Sequence, residues 1–312
     1  MRTTRVFAIT IAAALALATH PLRAQIPEIP DVSGLTSDPK FAAYVAITST
    51  PLGILPPLLS GPAAPATTAG LRGIGFRAQF GQITDPVAPE VDFDLSRRLI
   101  AGGIDIALGP GTLGLTAGYL DYGCDELRES VDFDEDGIND FSASLGCGSG
   151  MAGAVTWSMP LVRTVPAEGG GTSFLVGLDA GLGVGSGEMV QLRVSAPDPQ
   201  FPLNLSLNLD ASTLATGVGL PVGLVARSGG VTVIPHIQPR LAWGRTSVEF
   251  PGLGDIVGGT DDEFEESDVR FMLGGGVGLE FASGLGLHFG VQKVFVEDGK
   301  LAFGAGLSWA MR

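Results

Sequence analysis

Residues Asp132 to Asp140 read Asp-Phe-Asp-Glu-Asp-Gly-Ile-Asn-Asp. Carboxylates fall at the first, third, fifth and ninth places (Asp132, Asp134, Asp136 and Asp140), with Gly137 at the sixth. Calcium takes six to eight oxygen ligands, and this spacing folds several carboxylates around one ion while glycine permits the sharp turn. Ca2+ is therefore the expected ligand, against the plainer alternative of a solvated acidic loop tip. Cys124 and Cys147, the only two cysteines, bracket this stretch. In an exported chain an even pair reads as a disulfide rather than two free thiols. Closing that loop is worth roughly 3–4 kcal/mol in the chain-entropy model. A second acidic run, Asp261, Asp262, Glu263, Glu265, Glu266 and Asp268, reads first as a solvated loop and second as a site for divalent ions or cationic solutes.

Catalytic chemistry finds little support, and an enzyme is not expected. Past the N-terminal leader described below, only His236 and His288 remain. His288 with Glu280 is the pair an acid–base scheme would recruit, but no nucleophile motif accompanies them. The glycine run from Gly181 to Gly187 is not a phosphate loop, because neither a helical pattern nor a Lys follows it.

These groups must be positioned by something, and the elements can be read from the first residue onward. Arg2 and Arg5 precede an apolar run from Val6 to Ala18, and Leu22-Arg23-Ala24 offers a small residue before a cut at Gln25. This is the layout of a secretory signal peptide over residues 1–24, too short to span a bilayer well. Cleavage removes three Arg and no acid, taking the formal net charge from −15 to −18. So acidic a chain is not expected to bind nucleic acid. Residues 25–69 are rich in proline and read as an irregular periplasmic lead-in. Mean hydropathy is high, at +0.34 with 16% charged residues. Yet no long apolar run free of proline and rich in Leu or Ile follows the leader. The best rival, Ala211 to Ala226, is short and broken by Gly217, Gly219, Pro221 and Gly223. Hydrophobicity spread in short pieces is the pattern of membrane-crossing strands, whose lipid-facing and lumen-facing residues alternate.

From Gly70 to Arg312 the period is two. Ile74, Phe76, Ala78 and Phe80 share one face against Arg77 and Gln79; Ile100, Ile104, Ile106 and Leu108 oppose Asp105. Similar sets follow around Leu115, Val155, Leu178, Leu220, Val233, Phe271, Phe289 and Phe303, making about ten strands, with eight or twelve as neighbours. Parity puts Arg77, Gln79, Asp105, Asp179, His236, Gln238, Arg240, Arg270, Glu280, His288 and Gln292 on the inner face of a closed barrel. There they form either a packed ion-pair network or a charged constriction that selects solutes. Tight glycine turns at Gly109-Pro110-Gly111, Arg227 to Gly230 and Ser283-Gly284 alternate with longer links at 82–92, 123–148, 186–206 and 249–268. Pro235 and Pro239 each remove a ladder donor, so a bulge or weak seam is expected in that strand.

The chain from Gly70 to Arg312 resembles the small bacterial outer-membrane β-barrel proteins. The resemblance implies an all-β, antiparallel up-and-down transmembrane barrel in the outer membrane of a Gram-negative-type bacterium. It also implies both termini in the periplasm, contact with outer-membrane lipid, and insertion by the barrel assembly machinery. That machinery reads an aromatic residue at the end of the last strand; here Trp309 stands three residues before the end. The Asp132 to Asp140 stretch resembles the calcium loops of thrombospondin type 3 repeats and EF-hand-like sites. By that pattern the backbone carbonyl of Ile138 is a further ligand, while Ala143 stands where a full EF-hand loop has Glu. A soluble periplasmic β-protein is the alternative fold. Two functions remain: a structural or surface-binding barrel presenting the acidic loop, which is favoured, and a narrow passive pore or transporter for small or hydrophobic solutes. Neither the solute nor the surface ligand is legible.

Overall fold

The computed structural model describes residues 74–88, 93–124, 127–131, 141–163, 171–196, 203–249, 263–295 and 301–310. Among them thirteen strands form one antiparallel sheet: β1 (Ile74–Ala88), β2 (Phe93–Leu108), β3 (Gly111–Cys124), β4 (Leu127–Val131), β5 (Phe141–Cys147), β6 (Ser149–Arg163), β7 (Gly171–Ala196), β8 (Leu203–Gly219), β9 (Val222–Ser228), β10 (Val231–Glu249), β11 (Glu263–Phe281), β12 (Leu285–Phe295) and β13 (Leu301–Ala310). Neighbours pair in the order β7-β6-β3-β2-β1-β13-β12-β11-β10-β8, and β8 pairs back onto β7. The short β9 continues the stave begun by β8, pairing with the same two neighbours. The ladder therefore closes into an up-and-down barrel of ten staves, with β4 and β5 attached to the far end of β7.

Alternation explains the wall. Phe76, Ile104, Leu115, Val155 and Leu182 are ladder partners in sequence across β1, β2, β3, β6 and β7. Each is 40–49% exposed on the outside. Opposite them, Leu241, Phe271, Phe295, Val291 and Phe303 continue the apolar surface. A belt of large apolar side chains this continuous far exceeds the patches that soluble monomers leave in water. On β7 the outward positions run from Phe174 to Val184, which for a tilted strand matches the ~25 Å height of a lipid-facing band. The fold is a transmembrane β-barrel.

Three turns at one end place glycine in the left-handed region: Gly109 (φ 58°), Gly229 (φ 59°) and Gly284 (φ 87°). An L-residue with a Cβ is disfavoured there, so glycine permits the tight return. β6 and β7 are joined at this same end by a longer link, from Arg163 to Gly171, and the remaining links lie at the other end.

Several expectations about those links are corrected. Residues 186–206 are not a link: β7 runs on to Ala196 and β8 returns from Leu203, still laddered, as at Gln191 with Asn208. The alternation Leu203, Leu205, Leu207, Leu209 against Asn204, Ser206 and Asn208 is itself a strand signal. The stretch 123–148 holds β4 and β5, and β11 begins at Glu263, inside what read as an acidic link. Of the bulge and the weak seam expected at Pro235 and Pro239, only the seam is present. β10 pairs with β11 from Val231 to Glu249 without a register shift. On its other side the ladder lapses at Ile234–Pro235 and at Gln238–Pro239, and resumes in the same register. Pro239 still accepts there, from Leu220 N at 3.0 Å. Both prolines present their missing donor to the β8–β9 side, so one edge of β10 carries the whole loss.

The interior is layered along the axis. Near the tight turns Leu175, Val225 and Ile234 form a small apolar cluster. Towards the long-link end a larger one gathers Leu99, Leu120, Tyr122, Met189 and Val248, with Cys147, Val190 and Leu209 packed against it. The polar side chains stand between them.

Candidate functional site

The middle of the lumen is occupied by two ion-pair networks. In the first, Arg77 of β1 reaches Asp105 of β2 at 3.1 Å, and its Nη2 donates to Thr116 Oγ1 of β3 at 2.9 Å. In the second, Arg240 of β10 reaches Asp179 of β7 at 3.1 Å, and Gln238 Nε2 donates to the other oxygen of the same carboxylate. Asp179 is 0% exposed and Arg240 2%. Both networks step across an intervening strand, and glycine makes the step possible. Arg240 and Asp179 face one another over β8, where a Cβ on Gly217 would stand 2.9 Å from Arg240 Nε and one on Gly219 would collide with Asp179. Likewise a Cβ on Gly103 would stand 2.8 Å from Arg77 Nε, and one on Gly114 would stand 2.5 Å from Arg77 Nη2 and 2.9 Å from Asp105 Oδ1. The inward glycines are thus the floor over which large charged side chains lie, which is how a narrow barrel fills its interior.

Other inward groups complete the layer. His288 Nε2 and Ser308 Oγ are 2.8 Å apart, and His236 Nδ1 lies 3.4 Å from the carbonyl oxygen of Ile234. Gln292 is fully buried and its amide nitrogen lies against Met272 Sδ. Gln79 is buried with neither amide atom hydrogen-bonded among the described residues. Arg270 and Glu280 occupy inward positions of β11, opposite Ala242 and Thr232. Of the residues placed inside by parity, the structure brings together Arg77 with Asp105 and Asp179 with Gln238 and Arg240. Sequence reasoning left out of the lumen set Thr116, which accepts from Arg77, Ser308, which lies beside His288, and the buried Thr156 and Arg97. The same parity carried one turn further along β2 and β3 would have found Arg97 and Thr116; nothing local marks Ser308.

Asp132, Asp134, Asp136, Ile138 and Asp140 lie outside the described residues, as do residues 1–24 and 25–69. Cys147 ends β5; the side chain of Cys124 lies outside the described residues. The backbone nevertheless brings their strands together, since Tyr122 N donates to Gly148 O at 3.0 Å.

A cavity of about 570 Å³ lies elsewhere, in the outer wall across β6, β7, β8, β10 and β11.

No family model matches this chain, and no curated protein matches it. Among solved structures, the chain is similar to the transport unit of the autotransporter AIDA-I from Escherichia coli, at 12% identity over 97% of this chain and 98% of that one, with a TM-score of 0.34. The outer membrane protease OmpT from E. coli gives 8% identity over 78% and 98%, TM-score 0.36. The P. putida toluene transporter TodX gives 9% identity over 82% and 94%, TM-score 0.26. Likenesses this weak carry no argument about what the chain does, and the fold stands on its own closed ladder.

The filled layer makes one direct prediction. Gly114→Leu is expected to push Arg77 and Asp105 off their floor and to destabilise the barrel by about 1–3 kcal/mol, the range for overpacking. Urea midpoints in detergent would show it. An unchanged midpoint would mean that the charged pair has room the close contacts at Gly114 deny.

Proposed function

We propose that this chain is an outer-membrane β-barrel with a structural and surface-binding role, delivered by a signal peptide and inserted by the barrel assembly machinery. Its tight-turn end, and both termini, face the periplasm, after a proline-rich lead-in. The long-link end, carrying β4, β5 and the extended β7–β8 hairpin, faces outward. There Asp132, Asp134, Asp136, Asp140 and the Ile138 carbonyl hold one Ca2+ in a loop closed by a Cys124–Cys147 disulfide. The observation that carries the reading against an open pore is the burial of Asp179 and Arg240, which meet over β8 on the inner wall with almost no exposed surface. Charges so enclosed are held by each other and by packing, and a water path would leave them wet. The second reading, a narrow passive pore or transporter, draws on the polar side chains of the same layer, Gln79, His236 and His288.

Planar-bilayer conductance of the refolded chain separates the two. The expected result is silence from a preparation shown to be inserted by its protection from protease; discrete current steps would overturn the filled-barrel reading. In the same preparation calcium is expected to protect the 132–140 loop from cleavage. Equal cleavage in calcium and in chelator would remove the ion from the proposal.

A further inference from the structure

The cavity in the outer wall arises from one lateral row of small side chains. Met151, Ser186, Ser212, Ser247 and Glu265 are successive ladder partners across five strands. Three serines side by side leave a dent between bulkier rows. The row on the belt side holds Val184, Leu214 and Arg245, and the row above holds Glu188, Asp210 and Glu249. The trough therefore sits astride the upper edge of the apolar belt, with aliphatic side chains leading down into it and polar ones at headgroup height. Val184 is 53% exposed and Leu214 37%.

Its chemistry is one-sided. Carboxylates line it as acceptors beside serine hydroxyls that accept as well as donate, while the lone guanidinium of the lining, Arg245, is engaged with Glu265. An anionic headgroup would meet repulsion from Glu249 in the lining and from Asp210 above. An ammonium brings three donors and no acceptor, which complements that lining.

We propose that this trough binds a bilayer amphiphile with an ammonium headgroup, its chain lying over Val184 and Leu214. The proposal rests on the chain spanning a membrane. Trp243 stands one outward position below Arg245 on β10, whereas Trp157 and Trp309 lie towards the tight-turn end, so Trp243 reports on the trough.

The experiment uses the full chain carrying Trp157→Phe and Trp309→Phe, refolded into phosphatidylcholine vesicles. It titrates bromine-tagged dodecylamine against bromine-tagged dodecanoate as quenchers of Trp243. The amine is expected to quench at roughly two- to fivefold lower concentration, the range of one exposed ion pair, and the preference should shrink with added salt. Glu249→Gln should abolish the preference, and Ser212→Leu, which fills the dent, should weaken quenching by the amine alone. Equal quenching by both probes, or a preference untouched by either variant, would overturn the site and show partition into the bilayer only. A chain that fails to insert, seen as full protease sensitivity before any probe is added, would overturn the membrane reading and the site with it.

Discussion

Asp179→Ala is expected to cost about 3–5 kcal/mol, the range for removing one partner of a buried ion pair. The loss is large because the guanidinium left behind is not free to find water. Arg240 is 2% exposed, lies against Gly217 and Gly181, and has Asp179 as its partner at 3.1 Å. Gln238 loses the acceptor for its amide in the same stroke. Urea unfolding of the refolded protein, followed by the heat-dependent gel shift of folded barrels, measures the effect. The double variant Asp179→Leu with Arg240→Met removes both charges at similar volume and is expected to recover most of the stability. If Asp179→Ala alone is neutral, water must reach Arg240, and the lumen is open where it has been read as filled.

The second large effect separates a lipid-facing wall from an ordinary surface. Ile104→Arg places a charge in the middle of the outward row that joins Phe76 to Leu115. Ile104 is already 40% exposed, so in a water-soluble barrel arginine would be accommodated within about 0.5 kcal/mol. Near the midplane of a bilayer the same change costs about 2–4 kcal/mol. The folded fraction recovered in lipid vesicles is expected to fall accordingly, while Arg98→Ala, above the belt, should leave it unchanged. A neutral Ile104→Arg would remove the membrane from the account and favour a soluble β-protein.

The sequence alone determined the period of two, and with it the face on which each residue lies; it put the staves at about ten, and ring closure fixed the number. Parity is a property of the extended backbone, so Phe76 and Arg77 fall on opposite faces wherever the strand sits. The glycine turns at 109–111 and 283–284 were legible for a similar reason, because positive φ is a local demand. What only the tertiary structure decided is which inward residues meet. Asp179 and Arg240 belong to strands that are not neighbours, and their meeting depends on ring closure, on register and on the bare backbone of Gly217 and Gly219 between them. Ser308 lies near His288 only because β12 and β13 pair in one register; a shift of one residue would turn every such contact to the other face. The outer trough was invisible for the same cause. Ser186, Ser212 and Ser247 are unremarkable apart, and become a feature only when two ladders align them. Strand ends were misjudged where pairing, not hydrophobicity, sustains them: β7 and β8 run on past the belt because each still supplies the other's hydrogen bonds, a partnership no local window of sequence contains.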